Sequence, residues 1–202
     1  MLRLIAGIGL SMLAMTLMAQ GDSARGETLT MMCVACHGED GNSFAGSFPN
    51  IAGQNEIYLL KQMREMQSGE RPALLMTGML MGMSDQDLED LAAYYGDKIP
   101  SQGVADPANV QLGESIYRAG IARKGIAACT ACHSPSGQGN KLAGFPMLAG
   151  QWPEYTEAQL KAFRSGERKN DGDSKMMRLS AMDLNDEEIA AVASYLYGLQ
   201  ER

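Results

Sequence analysis

The chain has 202 residues, 45% of them apolar and 20% charged, with a net charge of −7 and an isoelectric point near 4.9. That balance argues against a disordered chain and fits one ordinary domain or two small ones. The acidic excess argues against a nucleic-acid partner, whose phosphates would repel such a surface.

Residues 1–19, MLRLIAGIGLSMLAMTLMA, differ in kind from the rest. One basic residue, Arg3, precedes an uncharged apolar run from Leu4 to Met18. The run is short for a bilayer span, which takes about 20 residues. It reads as a secretory signal peptide cut after Ala19. Leu17 fits the small-residue rule poorly, so an uncleaved N-terminal anchor is the alternative. Both readings place the rest of the chain in the periplasm or at the outer face of the membrane.

A first helix is expected near Glu27, leading to MMCVACHGED at 31–40. The string returns as AACTACHSPS at 127–136, after a helix expected near Glu114. The two C-x-x-C-H motifs hold all four cysteines (Cys33, Cys36, Cys129, Cys132) and both histidines, His37 and His133. Middle helices are expected at 56–67 and 155–164. The last helix of each half starts at Ser84 or Asn185, good N-caps with Asp87 and Glu188 three residues on. Leu88, Leu91, Ala92 and Tyr95 form a helical stripe, echoed by Ile189, Val192, Ala193 and Leu196.

The chain is therefore written twice. FPNIAGQ from Phe48 matches FPMLAGQ from Phe145, and SGER at Ser68 matches SGER at Ser165, both at a shift of 97. The linker YGDKIPSQGVADPANV carries Gly96, Pro100, Gly103 and Pro107, so the domains are read as 20–100 and 101–202. No period-two pattern stands out, and the fold class is all-α. Halves this small, with 6% aromatics overall, are short of apolar mass for cores of their own.

Three chemistries compete for C-x-x-C-H. Zinc would need a fourth ligand that neither string supplies. A redox dithiol wants a βαβ setting and leaves the histidine unexplained. Covalent haem c uses every residue: two thioethers to the vinyl groups and an imidazole below the iron. Two haems would also supply the missing core.

No third histidine exists for a sixth ligand, so methionine is the candidate. The repeat pairs Met76 with Met177 and Met81 with Met182, whereas Met79 and Met83 fall on Ser180 and Leu184. Met76 and Met177 lie eight residues before the caps, in a loop, and are the expected axial ligands. The other methionines read as flexible filling around the cofactor, and a copper(I) site is the other use of such a run.

With these motifs the chain resembles the cytochrome c4 family, periplasmic dihaem cytochromes made of two class I cytochrome c domains. FPNIAGQ, FPMLAGQ, MTGML, SDQDLEDLAAYYG and NDGDSKMMRLS carry the resemblance across the chain after the leader. It implies His/Met ligation in both halves and electron carriage toward a terminal oxidase. It implies that Pro49 and Pro146 offer carbonyls to His37 and His133, though a stiffened loop is the plainer role. It also implies that Gly26 meets Tyr94, and Gly113 meets Tyr195, where helices cross. Gln54, Gln151, Tyr58 and Tyr155 have either haem propionates or ordinary polar contacts as partners, and Trp152 packs on a haem edge or between the domains. The partners implied are redox proteins: a membrane quinol-oxidising complex or other donor, and a terminal oxidase. A retained leader would add peripheral membrane association.

From Gln20 to Pro100 there are twelve acidic and five basic residues; from Ser101 onward there are twelve and eleven. That asymmetry would orient the molecule on partners, or simply keep it soluble. The rival functions are a dihaem peroxidase, a gas sensor and a cytochrome subunit of a larger redox enzyme.

Overall fold

A computed structural model describes residues 21–200, so the leader expected at 1–19 lies outside the described residues. The first half holds α1 (Ser23–Thr28), α2 (Val34–His37), α3 (Glu56–Ser68), α4 (Leu74–Leu80) and α5 (Asp85–Gly96). The second repeats them as α6 (Val110–Ala119), α7 (Thr130–His133), α8 (Pro153–Ser165), α9 (Met176–Ala181) and α10 (Asp186–Tyr197). Among the described residues there are no strands, only isolated bridges at Ile121–Ile126 and Asn140–Phe145.

Side-chain caps explain four of the ten helix starts. Ser84 and Asn185 each close a full capping box, with Asp87 and Glu188 returning to the cap backbone. Asn55 caps α3 by accepting from the Ile57 N–H. The first helix starts at Ser23, earlier than expected, because the Asp22 carboxylate caps the Ala24 and Arg25 N–H groups. Its twin α6 starts at Val110 with Asn109 as N-cap, ahead of Glu114 and where the end of the linker, at 107–109, leads one to expect a helix.

Each half is framed by a crossing of its first and last helices, and each crossing is made at a glycine. A Cβ on Gly26 would fall on the Asp90 carbonyl and 2.8 Å from Tyr94 Cβ. One on Gly113 would fall on the Ala191 carbonyl and 2.6 Å from Tyr195 Cβ. Only hydrogen fits, so the helix axes approach closely and leave the opposite faces of α5 and α10 for the interior.

The two cores are unequal. Leu59, Leu91, Ala92, Tyr94 and Tyr95 form the first. The second is larger than composition suggests: Ile116, Tyr117, Ile189, Val192 and Leu196 are joined by Ile121, Ile126, Met147, Leu184 and Leu199. The extra loop at 121–126 and the chain after α10 bring apolar groups without counterpart in the first half.

The halves meet through buried polar groups. Gln54 bonds both backbone groups of Met147, and Gln151 does the same to Asn50. The shift of 97 that relates Gln54 to Gln151 also relates Asn50 to Met147. The interface is thus quasi-isologous, like that of a twofold dimer.

Candidate metal centres

The two C-x-x-C-H strings fold alike. Cys33 and Cys129 stand at the N-caps of the one-turn helices α2 and α7, and His37 and His133 end those helices. Three residues apart on a helix, the cysteines of each pair share a face. All four are free thiols and half-buried. Burial pushes the Cys129 thiol up to about 11 and raises the Cys33 thiol as well. A raised thiol pKa is the opposite of what activates a redox dithiol. Nor does any group of three His, Cys, Asp or Glu side chains with metal-binding geometry occur among the described residues.

Both imidazoles are buried. His37 Nδ1 lies 2.9 Å from the Pro49 carbonyl oxygen, and His133 Nδ1 lies 3.0 Å from that of Pro146. A carbonyl only accepts, so Nδ1 carries the proton and Nε2 presents its lone pair. Burial lowers both imidazole pKa values, with the proline bond opposing in part, and the net is downward. The rings are held neutral, the form that binds iron.

A glycine hinge places each proline. Gly41 and Gly137, at φ 85° and 75°, accept on their carbonyls from Ile51 and Ala52, and from Leu148 and Ala149. Those two anchors fix the loop so that Pro49 and Pro146 face the histidines. A Cβ at Gly41 would lie 2.9 Å from Ala52 N, and one at Gly137 3.1 Å from Ala149 N.

The methionines sort by exposure. Met76 and Met177 are half-buried, whereas Met81 is 74% exposed and Met182 54% exposed. Met76 and Met177 do not lie in loops. They ride on the short helices α4 and α9, whose N-caps Ala73 and Lys175 make no side-chain cap bond. The expected role of the surplus methionines as core filling is corrected for most of them: Met31, Met32, Met79 and Met176 are also exposed, and Met83 is one that packs on the first core.

Several polar residues serve the domain interface. Gln54 and Gln151 spend both amide ends on the opposite backbone. Tyr58 and Tyr155 accept on their hydroxyls from Arg168 at 3.1 Å and Arg71 at 2.8 Å. Trp152 stacks on Tyr197 at 5.0 Å and donates from Nε1 to the Ser43 carbonyl, which settles it between the halves. Sequence reasoning missed Arg71, Arg168, Gln62 and Gln159. Their signal was present, since each pair recurs at the shift of 97 inside or near the twin SGER strings.

The family model described as Cytochrome c matches residues 23–95 and 110–200. Cytochrome c4 from Pseudomonas aeruginosa is 51% identical over 181 residues, 90% of each chain. The solved structure of reduced recombinant cytochrome c4 from Pseudomonas stutzeri superposes with a TM-score of 0.88 at 49% identity, covering 89% of this chain and all of that one. A protein of Stutzerimonas stutzeri named "Thiosulfate dehydrogenase electron acceptor" is 32% identical over 98% of this chain and 95% of its own.

The chain belongs to the cytochrome c4 family. It is a dihaem c-type electron carrier built of two cytochrome c domains, with two covalently bound haem c groups. The residues fit that cofactor. Each half offers a pair of free thiols beside a buried imidazole with a free Nε2. In the first half Tyr95 Oη is buried with no hydrogen-bond partner among the described residues, next to Cys33.

Proposed function

We propose that each iron is held between an imidazole and a thioether: His37 and Met76 in the first half, His133 and Met177 in the second. Cys33 and Cys36, and Cys129 and Cys132, carry the thioether links. Pro49 and Pro146 orient the imidazoles, and the halves are divided at 20–100 and 101–202. The observation that carries this reading is the twinned histidine–proline pair, which fixes a neutral ring with Nε2 free in both halves.

When bound, each haem supplies one reversible iron electron. The chain's own part is to keep the ligand set constant. The proline carbonyl locks ring and tautomer. A soft, neutral sulfur favours the ferrous state relative to a second imidazole. Burial of both histidines would keep water away from the imidazoles that hold the irons. Two protein ligands on each iron leave no position for a substrate, so the protein carries electrons and does not turn over a reactant.

In this reading the protein works in the periplasm. It takes electrons from a membrane quinol-oxidising complex or another donor and passes them toward a terminal oxidase. A relative named as an electron acceptor of thiosulfate dehydrogenase supports a second donor, a sulfur-oxidising dehydrogenase. The first half bears almost all of the acidic excess, which suits a partner with a basic docking face.

Potentiometric titration with optical spectra tests the reading. Two one-electron waves with methionine-ligated spectra are expected. A reduced form that binds carbon monoxide without denaturant would overturn the methionine assignment.

A further inference from the structure

The last helices α5 and α10 match at a shift of 101, which sets Tyr95 opposite Leu196. The backbone bears the match out: the Gly53 N–H donates to the Tyr95 carbonyl at 2.8 Å, and the Gly150 N–H to that of Leu196 at 3.0 Å. Both side chains are buried. Leu196 carries no polar side-chain atom, so a phenol in the first half stands where the second half is purely apolar.

Among the described residues Tyr95 Oη is the one buried side-chain nitrogen or oxygen without a hydrogen-bond partner. Other tyrosine hydroxyls are spent. Tyr94 donates to the Glu39 carbonyl at 3.3 Å and Tyr117 to the Ser134 carbonyl at 2.6 Å. Tyr58 and Tyr155 accept from arginines. Nor can Tyr95 swing out to water. Its ring stands edge-on to Tyr94, with centroids 5.0 Å apart, and a Cβ at Gly41 would lie 2.8 Å from its Cδ1. Burial, with Cys33 beside it, holds the phenol above its ordinary value, so the proton stays on oxygen. A buried donor left unused is unfavourable, and such an atom calls for a partner.

Cys33 packs against the same cluster. A free thiol carries its own proton. Once its sulfur is bonded to a haem vinyl carbon that proton is gone, and the thioether keeps only lone pairs: it accepts and cannot donate. Haem attachment thus supplies an acceptor for the hydroxyl. In the second half Cys129 packs on a core whose Tyr117 hydroxyl already serves a backbone carbonyl.

We propose that Tyr95 Oη donates to the Cys33 thioether sulfur and so sets the first haem apart from the second. Tyr95 is a positioning residue, acting on the haem through the sulfur. The inference rests on the thioether at Cys33 in the reading above and not on the methionine assignment. The positive end of the O–H dipole faces a sulfur joined to the porphyrin, in a buried site where dipoles act strongly. A donor there favours the ferrous state, which holds one more electron, and hydrogen bonding around the cofactor is one of the levers on its potential. Removing it is expected to raise the oxidised-to-reduced ratio of the first haem about threefold, or about 28 mV for one electron.

The test compares the haem-loaded chain with Tyr95→Phe, which removes the oxygen and keeps the ring. Both potentials are measured, and the Cys33 β protons, followed by nuclear magnetic resonance through the titration, assign the wave of the first half. Resonance Raman spectra of the wild type in H2O and D2O report whether an exchangeable proton touches the Cys33 carbon–sulfur bond. Expected are a lowered first potential, an unmoved second one, and an isotope shift of the Cys33 carbon–sulfur mode that Tyr95→Phe abolishes. Two unmoved potentials, or two that fall together, overturn the proposal. A potential that moves without an isotope shift in the wild type means that the hydroxyl bonds elsewhere, and overturns it as well. Should Tyr95→Phe fail to load haem, the wild-type isotope shift decides: its presence supports the bond and its absence removes it. Mass analysis of the Cys33 peptide separates the two readings. A peptide without haem overturns the thioether assignment and this proposal together, whereas a haem-bearing peptide with unmoved potentials overturns the hydroxyl's role alone.

Discussion

Gln151 grips the Asn50 backbone at both ends: its Oε1 accepts from the Asn50 N–H at 2.9 Å, and its Nε2 donates to the Asn50 carbonyl at 2.8 Å. Gln54 holds Met147 in the same way, at 2.8 and 2.9 Å. Met147 directly follows Pro146, and Asn50 directly follows Pro49. Each half therefore braces the loop that orients the other half's imidazole.

That brace is expected to matter for stability and for coupling. Gln151→Ala would leave two buried backbone groups without partners, at about 1–3 kcal/mol each. Thermal unfolding followed by far-ultraviolet circular dichroism should show a clearly lowered midpoint, and Gln54→Ala a similar loss. Unchanged midpoints in both would mean that water replaces the amide ends at no cost.

The methionine pairing makes a sharp comparison. Met76→Ala and Met177→Ala should each open one iron and leave the other intact. Half of the haem should then bind carbon monoxide in the reduced state, with one potential lowered. Met81→Ala and Met182→Ala, at exposed positions, should do neither. Optical titration of the four variants distinguishes them, and the converse pattern would transfer the ligand role to the exposed pair.

Much of this architecture is legible from residues alone, for physical reasons that can be named. C-x-x-C-H binds its ligands locally, so the motif needs no tertiary context. Ser84 and Asn185 announce helices because a capping box is complete within four residues. Asp22 carries the same kind of signal for α1, ahead of Glu27. The helices under Met76 and Met177 are different. Ala73 and Lys175 offer no cap, Lys175 sits at φ 52°, and Gly78 lowers helix propensity. Tertiary contacts shape the α4 segment: Thr77 Oγ1 donates to the Met66 carbonyl of α3 at 2.7 Å. The glutamine and arginine bridges were hidden for another reason. Polar side chains that bond across a domain interface leave no periodicity, and only their recurrence at a constant shift marks them.

The helix crossings yield a stability prediction. Gly26→Ala would put a methyl against the Asp90 carbonyl, and Gly113→Ala one against that of Ala191. Backbone cannot rotate away as a side chain can, so the helices must separate. Overpacking of this kind costs about 1–3 kcal/mol. Denaturant unfolding should show both variants destabilised. An effect near zero at Gly113 would imply that α6 slides freely on α10.

The capping boxes predict where acid begins to unfold the protein. The Asp87 carboxylate accepts from the Ser84 hydroxyl at 2.7 Å and the Ser84 N–H at 2.8 Å, and also from Arg25. The Ser84 bonds first, and Arg25 after them, lower its pKa to about 2. The unfolded chain keeps the ordinary value of about 3.9. The folded value is depressed, so the contribution is whole above about pH 4 and is lost as pH falls from there toward 2, where the unfolded chain takes up the proton first. Glu188 repeats the arrangement: burial pushes its carboxyl up, but Lys124 at 2.6 Å and the Asn185 N–H outweigh burial and lower it. Asp87→Asn should therefore flatten the fall in stability between pH 4 and 2 while lowering stability at pH 7, and Glu188→Gln should do the same just below the ordinary glutamate range. Acid titration of the unfolding midpoint checks both. Parallel curves for wild type and Asp87→Asn would assign the acid transition to other carboxylates, with Asp90 the next to substitute, since Arg25 and the Asp22 N–H hold its buried carboxylate in the folded state.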